Sequence, residues 1–276
     1  VFIIHLNSIN IISSYLDKTM YMRSFNITGY VTTSSLAAAG PTDSAAAASA
    51  MATGIKYDNG RISKNSSGNI ESISEYVKSL GYGVGIVTTD SLTGATPAAF
   101  SSHSLSREDN DEIISSQLQS NIDILLGSGK STYDGRKSDI TNAGYKYYSL
   151  FNELDINEDK IIGSFSSISN YTSTNETPTL EQLAEFSVQF LESKYPNGYF
   201  LMIEGAHIDK MSHNNNMIDM NKYLDDFEEM ANHDYSTYSV SNHENLGNTL
   251  KFSVIGEVGY DILAWAREAN KTEHHG

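Results

Sequence analysis

Three stretches of this chain are apolar without alternation: Val1–Ile4 (VFII), Gly83–Thr89 (GVGIVTT) and Tyr199–Ile203 (YFLMI). A strand with one wet face alternates apolar and polar side chains, whereas a strand covered on both faces reads as a continuous apolar run. Helical patterns separate these runs. Ser44–Thr53 is an alanine-rich helix, with Thr42 and Asp43 as its N-terminal capping residues and Gly54 as its stop. Helices are also predicted over Ile73–Ser79, Arg107–Ser120, Thr179–Lys194 and Asp209–Asn221, and further strands over Tyr30–Ser34 and Ile122–Leu126. Strands alternating with helices predict an α/β fold with a largely parallel central sheet and helices on both faces. In such sheets the functional residues sit on loops at the carboxyl ends of the strands.

The length, 276 residues, suffices for one large domain or two small ones. The expectation is a single domain over 1–276, with a polar, irregular insertion at about 131–178 that holds short strand-like pieces such as Ile161–Phe165. No apolar run approaches the roughly 20 residues needed to span a bilayer. VFII is too short and too uncharged for a signal peptide and is expected to be a first core strand. The formal charge is -16. That excess repels nucleic acid and anionic membranes, so neither is an expected partner. It also repels phosphate esters, so an anionic substrate needs local positive charge such as metal ions. The chain has 0 cysteines, which excludes disulfides and cysteine-based zinc sites. Any metal must be held by His, Asp, Glu or Ser.

Four places carry chemistry. Ser44 opens a helix, where free backbone N–H groups and the helix dipole favour an anion. That suits a serine that attacks phosphorus, although a bare Asp-Ser pair is most often only a helix cap. Asp209 and His213 are four residues apart, share one helical face and can grip one ion. Thr96 stands at the exit of the GVGIVTT strand, where a Thr-Pro pair by itself is a turn. Arg107 follows and by itself reads as a solvated charge at a helix start.

The strings around these residues are more specific than the residues themselves. TDSAAAASAMATG (Thr42–Gly54), ATPAAF (Ala95–Phe100) and LMIEGAHIDKMSH (Leu201–His213) resemble the metal-dependent alkaline phosphatases, with Ser44 in the place of the nucleophile. The resemblance implies a phosphate monoester hydrolase that works through a phosphoserine intermediate with Zn2+ and Mg2+. It implies that Arg107 forks onto the substrate phosphate. It places Asp209 and His213 on one zinc, joined by Glu257, which stands where the family has a histidine. Ser44, Asn242 and His243 map to the second zinc, and Thr96 and Glu204 to magnesium. His233, His274 and His275 match nothing in the pattern.

The chain departs from the family at three points. The aspartate that normally follows the first strand is missing near Leu6, Asn242 replaces an aspartate, and Glu257 replaces a neutral imidazole. An active phosphomonoesterase is the leading expectation. The alternative is a catalytically impaired relative that binds phosphate or metal without efficient turnover. A sulfatase or phosphodiesterase is disfavoured by the Asp-Ser-Ala string and the lack of cysteine. The resemblance further implies small phosphate monoesters as substrates, a homodimer, and a periplasmic or extracellular location.

Overall fold

The computed structural model describes residues 2–4, 34–36, 40–169, 173–232 and 253–255. Within the chain two units separate, one from Val1–Thr28, Tyr82–Leu92 and Asp123–Gly256, the other from Gly29–Gly81, Thr93–Ile122 and Glu257–Gly276.

The first unit is built on a sheet whose described strands number seven: β1 (Phe2–Ile4), β2 (Gly83–Ser91), β3 (Ile124–Ser128), β4 (Lys146–Tyr148), β5 (Ile161–Phe165), β6 (Tyr199–Glu204) and β7 (Ser253–Ile255). Their order is β4-β5-β3-β2-β6-β1-β7, and every pairing is parallel. The fold is α/β. The first seven residues of β2 are all buried, which explains the unbroken apolar run there. Register along β2 and β6 sets Thr88 opposite Glu204, at the carboxyl ends of adjacent strands. Buried Asp123 anchors the other end of β3: its carboxylate accepts from Val84 N–H at 2.8 Å and from the Tyr195 hydroxyl at 2.5 Å.

One face of this sheet is covered by α7 (Leu180–Lys194). Its start is set by a capping box between Thr179 and Gln182. Leu183, Ala184 and Leu191 are fully buried in one cluster with Val87, Leu126 and Ile203, while Phe186 is only partly buried against it. The expected single helix over Asp209–Asn221 is two helices, α8 (Ala206–His213) and α9 (Met217–Asn232). Asn215 breaks them apart with φ 54°, a left-handed position that asparagine tolerates. Gly205, between β6 and α8, is required for space: a Cβ there would lie 2.6 Å from the Phe227 ring. A glycine thus lets α9 pack close to the strand end that carries Glu204.

The stretch read as an irregular insertion carries regular structure: α5 (Lys130–Asp134), α6 (Lys137–Asn142), β4 and β5. Tyr133, Ile140, Ile161 and Phe165 are fully buried there. Widely spaced apolar residues among polar ones conceal short elements from a periodicity reading.

The second unit is helical. It holds α1 (Ser44–Thr53), α2 (Ile73–Ser79), α3 (Ala95–Ser101) and α4 (Asn110–Gln117), with a small hairpin of Lys64–Asn65 and Gly68–Asn69. Helix α1 is buried from Ala45 to Thr53, and Ala45 packs in a cluster with Ile62, Ala95, Ala98 and Ile113. Alanine serves here because it has the highest helix propensity and permits close approach. Ser49 inside α1 is satisfied on both sides: its hydroxyl donates to the Arg61 carbonyl at 2.9 Å and accepts from Ser63 N–H at 2.8 Å. The helix expected from Arg107 begins at Asn110, because Asp109 is its N-cap and accepts from Glu112 N–H at 2.9 Å.

Candidate active site

Ser44 is the first residue of α1 and is half-buried. The cap is Asp43, at φ -83° and ψ 170°. One of its carboxylate oxygens accepts from Ala46 N–H at 2.9 Å, which satisfies one of the free donors at a helix start. The other accepts from Gly60 N–H at 3.0 Å and from Arg107 Nη1 at 3.2 Å. The structure therefore brings Arg107 to the start of the helix that Ser44 opens, although 64 residues separate Asp43 from it. The side chains of Arg107 and Asp43 keep 35% and 26% of their exposure, so the pair adds at most about 1 kcal/mol to stability. What it does is aim: one edge of the guanidinium is held, and the cationic group stays where the helix dipole already favours an anion. Thr96 is the second residue of α3 and is buried.

The first unit carries the other candidates. Glu204 ends β6, is only 3% exposed, and accepts from the Thr88 hydroxyl at 2.6 Å. On α8, His213 Nε2 lies 3.4 Å from an Asp209 carboxylate oxygen. The helical spacing read from sequence is thus realised as one converging pair. Lys210 pairs with Asp90 at the end of β2, and Asp90 is held in turn by Ser91 N–H. His207 packs its ring 4.8 Å from that of Tyr223, with Nδ1 buried and without a hydrogen-bond partner. Burial and the Lys210 charge lower its pKa, against the pull of Asp90 and Glu204, so the ring is neutral at ordinary pH.

Sequence reasoning passed over His207, Lys210 and Asp90. Lys210 lies inside the Leu201–His213 string, beside a predicted ligand, and that adjacency was its signal. Asp90 gave none, because its partner is 120 residues away. Asn242, His243 and Glu257, like Leu6 and His233, His274 and His275, lie outside the described residues. Among the described residues no group of three or more His, Cys, Asp or Glu side chains could hold a metal. The residues present still fit metal ions in kind. A carboxylate and an imidazole converging on one helix face are a two-donor zinc bite. A buried carboxylate beside a hydroxyl is the hard oxygen set that magnesium takes.

The chain carries a parallel α/β sheet, a serine at a helix start with an arginine held at its cap, and nitrogen and oxygen donors of the kinds that metals take. The alkaline phosphatase family profile matches residues 13–251, and the chain belongs to that family. Alkaline phosphatase 4 of Bacillus subtilis is 33% identical over 203 residues, covering 68% of this chain and 44% of its own length. Among solved structures, the cold-active alkaline phosphatase of a psychrophilic Shewanella superposes with TM-score 0.71 at 27% identity, over 83% of this chain and 62% of that one. A variant of the TAB5 alkaline phosphatase, solved with magnesium bound, gives TM-score 0.69 at 27% identity, over 83% of this chain and 70% of that one. The chain thus spans less than half the length of the first curated relative, 44%.

Proposed function

We propose that this chain is a phosphate monoester hydrolase in which Ser44 is the nucleophile. The observation that carries the reading is the hydrogen bond from Arg107 to Asp43, the residue just before Ser44. It puts a phosphate-compatible cation at the helix start where a serine can attack. Arg107, whose Nε also lies 3.6 Å from a Glu108 carboxylate oxygen, offers its other guanidinium N–H groups to the equatorial oxygens of the phosphoryl group and orients it for in-line displacement. The Ser44 hydroxyl gives its proton to solvent, its oxygen bonds to phosphorus, and the ester oxygen leaves with the bonding pair and takes a proton from solvent. Water then attacks the same phosphorus and loses a proton, the Ser44 oxygen leaves with its bonding pair and is reprotonated, and inorganic phosphate is released. The helix N-terminus favours the anionic phosphoserine throughout.

Metal ligand roles belong to the same reading. Asp209, His213 and Glu257 hold one zinc, Ser44, Asn242 and His243 a second, and Thr96 and Glu204 a magnesium. When bound, such ions lower the pKa of an attacking oxygen and stabilise the departing one. Magnesium in the solved TAB5 relative supports the metal assignment. Small phosphate monoesters as substrates, a homodimer, and a periplasmic or extracellular location are carried over from the family. Among the described residues no helix is long and apolar enough to cross a membrane.

The substituted positions near Leu6 and at Asn242 support the second reading, a relative that binds phosphate or metal without efficient turnover. Hydrolysis of p-nitrophenyl phosphate at alkaline pH, with zinc and magnesium titrated in and Ser44→Ala beside it, separates the two. Metal-dependent turnover that vanishes in Ser44→Ala supports the hydrolase. A folded protein silent at every metal concentration supports the impaired relative.

A further inference from the structure

Residues Tyr57–Ile62 carry no group assigned to the chemistry, yet the polar groups around Ser44 hang on them. Asp58–Arg61 is a β-turn, closed by Arg61 N–H donating to the Asp58 carbonyl at 3.3 Å. Gly60, at its third position, has φ 84°, and Asn59 is not left-handed. That is the type II arrangement, which needs a residue tolerant of positive φ at this place. A Cβ on Gly60 would meet nothing within 4 Å, so the demand is on the backbone and not on space.

Three hydrogen bonds run from this turn to the site. Asn59 Oδ1 accepts from Asp43 N–H at 3.0 Å. Gly60 N–H donates to the Asp43 carboxylate at 3.0 Å, on the same oxygen that receives Arg107 Nη1. The Gly60 carbonyl accepts from Arg107 N–H at 2.8 Å. Beyond the turn, Ile62 and Ser104 exchange two backbone hydrogen bonds of 2.9 Å each, and Arg61 Nη1 donates to the Leu105 carbonyl at 2.8 Å. Gly60 therefore holds both the cap of the Ser44 helix and the backbone of Arg107, and Asn59 holds the cap as well.

We propose that the Asn59–Gly60 turn is the positioning element of the phosphate site, setting Ser44 and Arg107 against one another. This rests on the hydrolase reading above. Asn59 acts through Asp43, and Gly60 through Asp43 and Arg107; neither touches substrate. Without the turn, both ends still fold locally, because α1 has its own alanines and C-cap, but the arginine is no longer registered to the serine. An error of about 1 Å between reacting groups can cost about a hundredfold in rate.

The test uses the full chain loaded with zinc and magnesium, and compares Asn59→Ala, Gly60→Ala and Gly60→Asn with the parent. Readouts are kcat and KM for p-nitrophenyl phosphate, the inhibition constant of inorganic phosphate, and the thermal midpoint. Expected is a fall of about tenfold or more in kcat/KM for Asn59→Ala and Gly60→Ala, with weaker phosphate inhibition; the thermal midpoint stays close to the parent's in Asn59→Ala and drops in Gly60→Ala, where a Cβ strains the positive φ. Gly60→Asn should recover most of the loss, since asparagine accepts positive φ. Two results overturn the proposal: kcat/KM within about twofold of the parent in both alanine variants, or losses that simply track a lower thermal midpoint in all three. A parent as inactive as Ser44→Ala would instead sink the hydrolase reading. Amide hydrogen exchange then decides the turn's role: faster exchange at Ala46 and Arg107 in Gly60→Ala upholds it, and unchanged exchange overturns it.

Discussion

The Ser44 region and the Asp209–His213 region differ in how much of their geometry the chain builds for itself. Around Ser44, the cap carboxylate receives hydrogen bonds from Ala46, Gly60 and Arg107, and the helix behind it is buried through Thr53. Among the described residues the Asp209 and His213 side chains meet at 3.4 Å, with the His213 side chain 61% and that of Asp209 18% exposed. The first region is fixed by the chain's own hydrogen bonds. The second offers two donors on one helix face, the outer of them held by little else. A phosphoryl site must be rigid before substrate arrives, whereas a metal orders its own ligands.

That contrast can be broken in several ways. The largest effect belongs to Ser44→Ala, which should cut phosphatase turnover by at least about a thousandfold while leaving zinc affinity of the Asp209–His213 face intact. Stopped assays with parallel zinc titration check it, and equal loss of both would erase the distinction between the regions. Next, Asp209→Ala or His213→Ala should weaken zinc binding by more than about a hundredfold, since even groups that merely orient metal ligands are worth about 10–100-fold. The thermal midpoint without metal should stay put, because little packing is lost on an exposed face. A large drop there would mean that this helix too is preorganised.

Smaller effects probe the rigid side. Ala47 is fully buried, so Ala47→Leu should cost about 1–3 kcal/mol by overpacking, read as a lower urea midpoint. Asp43→Ala should cost about 1 kcal/mol of helix stability, while Asp43→Asn keeps the cap bond from Ala46 N–H but puts a donor NH2 where the second oxygen accepts from Gly60 and Arg107. Comparable stability in the two variants would show that the cap contributes little.

A pH dependence sets the second unit apart as well. His103 is buried, its Nδ1 lying 2.7 Å from the Ser63 carbonyl and its Nε2 2.8 Å from Glu75. A carbonyl and a carboxylate at the two ring nitrogens are a setting that favours the doubly protonated ring. Burial pushes its pKa down, but the hydrogen bonds to Glu75 and to the Ser63 carbonyl outweigh that and raise it above the usual 6.5. Glu75 is likewise opposed by burial, and its bonds to His103 and Ser72 leave it below the usual 4.5. The His103 contribution is fully present below about pH 6.5 and is lost as pH rises through the raised value. The Glu75 contribution is present above about pH 4.5 and is lost as pH falls through its lowered value. Urea unfolding should therefore show stability declining from neutral to alkaline pH, and His103→Gln should flatten that limb. An alkaline limb identical in the variant would deny the imidazolium.

Both ends of the Ser44 helix were legible because its signals are local: an aspartate cap, a run of alanines and a left-handed Gly54. The helix after Glu204 was half legible. Its spacing gave the Asp209–His213 pair, but the break at Asn215 was hidden, since asparagine fits helices and left-handed turns alike. In the region at about 131–178 the strand Ile161–Phe165 was legible as an apolar run, while the short helices around Tyr133 and Ile140 were hidden among polar exposed residues. His103 illustrates the other limit. The Ser72–Glu75 capping box is readable, but the histidine that joins it lies 28 residues from Glu75.

Sequence alone determined the parallel α/β class, the Ser44 helix with its caps, and the residue types able to hold phosphate and metal. These follow from local periodicity, backbone preference and side-chain chemistry, which need no knowledge of distant neighbours. Tertiary structure alone decided that Arg107 rests on Asp43, that Gly60 holds both, that Lys210 meets Asp90, and that His103 meets Glu75. Each is a pairing across tens of residues, and its energy depends on burial and on the partner supplied by the fold.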